Sequence, residues 1–128
     1  MVGAGVTYDH SWSLAEATRT IRSMARNPRL NLTYKLHARE RLDERGIIIS
    51  DVLHALKYGD VFDAPIPATR PGLYRYRMDC KTPNSGSRSI GVVVIPSMRD
   101  CSFKIITVMW VDEYARVAGS IIGGEDDQ

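Results

Sequence analysis

Ser89-Ile90-Gly91-Val92-Val93-Val94-Ile95 is the stretch that decides the fold. It is apolar almost throughout and rich in β-branched residues. That is the pattern of a strand covered on both faces, in the middle of a sheet. On its N-terminal side, Leu73 to Met78 alternates instead: Tyr74, Tyr76 and Met78 fall on one side and Arg75 and Arg77 on the other. Such alternation marks a half-exposed strand. On its C-terminal side, Phe103 to Val111 is again apolar, with Lys104 and Thr107 as polar interruptions. Pro83-Asn84-Ser85-Gly86 and Ser97-Met98-Arg99-Asp100 are turn-forming and predict successive hairpins. Val61-Phe62 adds a shorter extended run. The expected sheet is antiparallel, with about four strands.

Before Gly59 the period changes from two to that of a helix. Ser13-Leu14-Ala15-Glu16 reads as a capping box, followed by Ala17, Ile21, Met24 and Ala25 at helical spacing. Arg19, Arg22 and Arg26 share the other face. This helix stops before Asn27-Pro28, because a residue preceding proline avoids the helical region. Leu30 to Thr33 reads as a short extended stretch or connector. A second helix is expected from Leu36 to Arg45, closed by Gly46 in the left-handed conformation. A third is expected to be capped by Ser50, to run through Val52, Leu53 and Leu56, and to close at Gly59. Residues 112–122 are expected as a last short helix. Helices followed by a run of strands argue for an α+β fold. The expected organisation is a flexible leader over 1–10, one α+β domain over 11–122 and an acidic tail over 123–128.

The chain has 128 residues, which suits one domain, and 44% hydrophobic with 25% charged residues excludes wholesale disorder. No apolar run approaches the roughly 18 residues of a membrane span, and the N-terminus lacks the pattern of a signal peptide. A cytoplasmic protein is therefore expected. Cys80 and Cys101 fit buried thiols, with a disulfide as the alternative. Net charge is only +2, but it is unevenly distributed. Residues 19–45 carry eight basic and three acidic side chains (8 − 3 = +5), and residues 112–128 carry one basic and five acidic (1 − 5 = −4). This asymmetry fits an anionic ligand at the front half. It fits solvated helix faces with a solubilising tail equally well.

On the second helix His37, Arg41 and Arg45 fall at i, i+4 and i+8 and form one stripe. Two guanidinium forks beside an imidazole make an anion site with a titratable group. The competing explanation needs no ligand: Arg41 pairs with Glu44, Arg39 pairs with Asp43, and the stripe ties the helix to the sheet. A metal site is not indicated, since His37 and His54 have no Cys or His partner at ligand spacing. No serine lies in a nucleophile-elbow context. Gly3-Ala4-Gly5 lacks the strand and third glycine of a phosphate loop, so no cofactor is implied. Arg75, Lys104 and Thr107 on the strands are the candidate substrate-binding partners of the stripe.

His37-Ala38-Arg39-Glu40-Arg41-Leu42-Asp43-Glu44-Arg45-Gly46-Ile47, followed by Ser50-Asp51-Val52 and Ala55-Leu56-Lys57-Tyr58-Gly59, resembles a bacterial family known only as domain of unknown function 4258. Its pattern is His-Ala-x-x-Arg-x-x-x-Arg-Gly-Ile, then Asp-Val, then a glycine-closed helix and strands. The last strand ends in a segment like Ile105-Ile106-Thr107-Val108-Met109-Trp110. The resemblance covers about residues 32–111, leaving out the first helix and the acidic tail, and the loop from Pro65 to Gly72 looks longer than usual. The family is similar to the RelE/ParE-like toxin fold, in which helices pack on a curved antiparallel sheet. That resemblance implies a metal-independent endoribonuclease of a toxin–antitoxin system, with RNA as substrate and a cognate antitoxin as partner. It would make His37 the general acid or base. Arg41 and Arg45 would hold the scissile phosphate, and Lys104 or Arg75 would complete the clamp. The alternative is a non-catalytic nucleic-acid- or protein-binding module with a structural His/Arg helix.

Overall fold

The computed structural model describes residues 11–113. The expected leader, the acidic tail and the last helix beyond residue 113 lie outside the described residues. The elements in order are α1 (Leu14–Ala25), β1 (Asn31–Tyr34), α2 (Leu36–Arg45), α3 (Ile49–Tyr58), β2 (Asp60–Val61), β3 (Ile66–Pro67), β4 (Tyr74–Lys81), β5 (Ser89–Ser97) and β6 (Ser102–Trp110). The fold is α+β, and β5 is central, as its sequence requires.

The sheet has six strands, in the order β1-β6-β5-β4-β2, with β3 also paired to β4. Strands β4, β5 and β6 form the expected antiparallel meander. The expectation of about four antiparallel strands is corrected by the short strands. β1 pairs parallel to β6, from Asn31↔Ser102 to Tyr34↔Ile105, so the sheet is mixed. Parallel neighbours need a long crossover. Here the connection from β1 to β6 contains α2, α3 and the rest of the sheet. β2 and β3 have two residues each.

One face of the sheet carries the main core. Ile21, Ala38, Val52 and Leu56 from the three helices meet Met78, Val92 and Ile105 from the strands. Val93, Ile106 and Met109 form a smaller cluster of their own, with Ile95 packed against it. They alternate with main-core residues of β5 and β6, which places them on the opposite face. A register shift between Val93 and Val94 leaves Ile106 as an extra residue in β6, between Ile105 and Thr107. Trp12 stacks on Tyr76 (centroids 5.3 Å apart), and its backbone N–H donates to the Tyr76 hydroxyl at 2.8 Å, fixing the approach to α1.

The helix ends follow local chemistry. Ser13 and Glu16 make the reciprocal capping box of α1, at 3.1 and 3.2 Å. Gly46 closes α2 with φ of 66°, a conformation that favours glycine. The expectation that Ser50 caps α3 is corrected. The N-cap is Ile48, whose N–H donates to Asp51 Oδ2 at 3.2 Å. Asp51 is buried, and its Oδ1 accepts from Thr82 Oγ1 at 2.7 Å, tying the start of α3 to the β4–β5 hairpin. Gly59 is needed for space: a Cβ there would lie 2.5 Å from Ala55 O and 2.9 Å from Asp79 O. Cys80 and Cys101 are free thiols. Among the described residues no helix is long and apolar enough to cross a membrane.

Candidate functional site

α2 is held along the edge of β6. β1 accompanies β6 only as far as Ile105. At that point Lys35 N–H, at the head of α2, donates to Ile105 O at 3.0 Å. Beyond it, Arg45 Nη1 donates to Val108 O at 2.7 Å, and Trp110 Nε1 donates to Arg45 O at 2.9 Å. The helix therefore covers the stretch of edge that β1 leaves open, and Arg45 satisfies a strand carbonyl there. Ala38 is fully buried beneath the helix. His37, Arg41 and Arg45 are all half-buried, whereas Arg39, Glu40, Asp43 and Glu44 are exposed. The predicted stripe is thus real, and it lies where the helix meets the body of the protein.

Arg41 differs from Arg45 in its partners. Arg41 Nη1 pairs with Glu44 Oε1 at 3.0 Å, as the i, i+3 spacing predicts. The Arg41 side chain is 18% exposed and that of Glu44 59%. Arg41 Nε is buried and has no hydrogen-bond partner among the described residues. Such an orphan donor is costly in a native structure and marks a place where a ligand oxygen would be welcome. The expected Arg39–Asp43 pair is not formed among the described residues; both side chains stay in solvent. Tyr34, on neighbouring β1, also buries a hydroxyl without a partner among the described residues, and desolvation raises its pKa above the ordinary phenol value.

The strand candidates lie elsewhere. Arg75 alternates with Tyr74 and Tyr76, which pack with the main core under the helices, so Arg75 projects from the other face. Lys104 sits between Phe103 and Ile105 of the same core, in register with Ile95 of the opposite cluster. It too projects away from α2. Thr107 is fully buried, its hydroxyl has no partner among the described residues, and its register partner Val93 belongs to that opposite cluster. The fold brings His37, Arg41 and Arg45 together and sets Arg75 and Lys104 on the far side of the sheet from them. Arg77, on the Arg75 side, pairs with Asp79 at 2.8 Å and Asp63 at 3.1 Å. Burial pushes the Asp79 carboxyl up, and Arg77 beside it pulls in the opposite direction.

A wide depression of about 720 Å³ opens on the other flank of α2, lined by Arg39, Glu40, Leu42, Asp43 and the Gly46–Ile49 segment. No stripe residue lines it. Among the described residues no three His, Cys, Asp or Glu side chains converge as a metal site would require. Sequence spacing alone does not reveal the contacts of Arg88, which pairs with Asp112 (2.9 Å) and Glu113 (2.8 Å) and lies 4.1 Å over the Trp110 ring. Nor does it reveal that Trp110 anchors α2. The only signal for that was an aromatic residue at the end of the last strand.

No curated protein and no solved structure matches the chain. The family model described as domain of unknown function (DUF4258) matches residues 34–110, more than half of the sequence, from the end of β1 through the last residue of β6. The chain belongs to this family.

Proposed function

We propose that this family member is a metal-independent endoribonuclease of the toxin type, with the α2 stripe as its phosphate-binding and proton-transfer site. The observation that carries this is the state of Arg41. Among the described residues, one guanidinium donor is buried and unpartnered, and another is held by a mostly exposed glutamate. A phosphate oxygen can take the first and compete with Glu44 for the second. His37 lies one turn earlier on the same half-buried flank.

RNA carries its own nucleophile. The 2′-oxygen attacks phosphorus, the bond to the 5′-oxygen breaks, and a 2′,3′-cyclic phosphate and a 5′-hydroxyl result. His37 removes the 2′ proton while water protonates the leaving 5′-oxygen, or protonates that oxygen while water takes the 2′ proton, and Arg41 stabilises the charge that builds on the phosphoryl oxygens. Arg45 is committed to Val108 O and positions the helix. Arg75 and Lys104, on the far face, do not belong to this clamp. A cytoplasmic toxin of this kind would be held in check by an antitoxin covering the stripe.

The test is incubation of the purified chain with RNA in excess chelator. The expected result is cleavage to cyclic-phosphate ends, falling about 10²-fold or more in His37→Ala, with Arg41→Ala also impaired. Intact RNA with correctly folded wild type overturns the proposal. A second function has its own support, because Arg45 and Trp110 make α2 a strut on the edge of β6. A binding module built on that strut would show salt-sensitive RNA binding without cleavage.

A further inference from the structure

α1 lies wholly outside the residues matched to the family, and it carries a basic stripe of its own. Arg19, Arg22 and Arg26 fall at i, i+3 and i+7, which puts them on one face. Two of them reach the C-terminal end of α3. Arg22 Nε donates to Gly59 O at 2.7 Å, and its Nη2 donates to Tyr58 O at 3.1 Å and Asp60 Oδ1 at 2.9 Å. Arg26 Nη2 donates to Lys57 O at 2.9 Å, and its guanidinium carbon lies 5.0 Å from the centroid of the Tyr58 ring. That ring packs in turn on His54, with centroids 4.7 Å apart. Tyr58 is nevertheless 53% exposed.

These contacts explain why α1 docks on α3. They do not explain the charge left over. Among the described residues Arg22 alone of the stripe meets a carboxylate, Asp60. The partners of Arg26 are a carbonyl and a ring, and they leave most of its five N–H donors available. Arg19, and Arg29 just beyond the helix, are exposed and form no ion pair among the described residues. Lys57 adds another cation with no acidic partner among those residues. The only acid on α1, Glu16, is turned back to the Ser13 N–H. The seam thus combines surplus cations with a column of exposed Arg26 and Tyr58 that ends at half-buried His54, whose ring is tilted 43° to that of Tyr58.

We propose that this seam binds single-stranded RNA. Arg19, Arg26 and Arg29 take the phosphates, and a base extends the Arg26–Tyr58–His54 column. Guanidinium and aromatic planes both stack unpaired bases, and cations interleaved with aromatics are the pattern of a single-strand platform. Arg19 to Arg26 spans about 10 Å of helix, comparable to about three phosphate-to-phosphate steps of a stacked strand. The seam uses no residue of α2; only the choice of RNA as the polymer rests on the proposed endoribonuclease function.

The test is fluorescence anisotropy of the full chain with a labelled single-stranded 2′-O-methyl oligouridine. That probe lacks the free 2′-hydroxyl and is not cleaved, so binding is read whether or not the α2 stripe cuts RNA. Arg19→Ser with Arg29→Ser, two exposed positions, is expected to weaken binding and to reduce the slope of log K against log salt by about 1.4. Tyr58→Ala is expected to weaken binding roughly tenfold with little change of slope, and Tyr58→Trp to retain it. The proposal is overturned if wild type does not bind the oligomer, if the double serine variant binds like wild type, or if a duplex of equal length binds as well.

Discussion

α1 and α2 each present a stripe of basic side chains at helical spacing, and each divides the same way. One arginine is committed to backbone carbonyls of a neighbouring element, and another keeps donors in reserve. In α2 the committed residue is Arg45, on Val108 O at the edge of β6; Arg41 keeps a buried Nε without a partner among the described residues. In α1 the committed residue is Arg22, on Tyr58 O and Gly59 O at the end of α3; Arg26 keeps most of its donors and Arg19 is exposed. The environments differ. The α2 stripe is half-buried and the α1 stripe is largely in solvent. A half-buried guanidinium beside an imidazole suits chemistry on one phosphate, because charge is stronger where water is scarce. An exposed row of cations suits a polyanion held at several points.

The sharpest way to break this division is to remove the committed arginine of α2. Arg45→Ala leaves Val108 O without its donor at a partly buried edge and loosens the helix that Trp110 also grips. The expected cost is about 2 kcal/mol, or a fall in Tm of roughly 8 °C for a domain of this size, read by thermal and urea unfolding. An unchanged Tm would remove Arg45 as a strut and return it to the candidate catalytic set. Arg22→Ala is the matching experiment in α1. Three hydrogen bonds are lost, but at a site where the arginine is 37% and Asp60 50% exposed, so water replaces part of them. The expected cost is about 1 kcal/mol. A larger loss than at Arg45 would mean that α1, although outside the family match, is the more integral of the two helices.

Sequence alone resolved the elements whose signals are local. Ser13-Leu14-Ala15-Glu16, Gly46 and the alternation of Tyr74, Tyr76 and Met78 each encode their structure within a few residues, and α1, α2 and the β4–β5–β6 meander follow. β1 is legible only as the extended stretch after Leu30; its parallel pairing is not, because its four residues alternate between exposed and half-buried and their partner on β6 lies about seventy positions away. The cap of α3 was misread because Ser50 is a favoured cap residue, while Asp51 supplies the carboxylate from inside the helix. The face of the stripe was legible from i, i+4 spacing. The separation of Arg75 from it is legible too. If Tyr76 and Met78 are the side that meets the helices, Arg75 must be on the other. No spacing encodes the bonds from Arg22 to Gly59, thirty-seven residues on.

The smallest expected effect is the most discriminating. Arg41→Ala removes an ion pair whose acidic partner is mostly in solvent, and such pairs contribute little. It also removes a buried donor that nothing satisfies, and it relieves repulsion from Arg45 at i+4. The loss of packed methylenes along the stem works the other way. These terms nearly cancel, so the expected change in stability is within about 0.5 kcal/mol, read as a Tm near that of wild type. A structural arginine of similar burial would not behave so. If Arg41→Ala keeps the fold and loses RNA cleavage, the reserve donor of α2 acts on a ligand. If it unfolds the protein as Arg45→Ala is expected to, both arginines of α2 are struts, and the contrast within that helix disappears.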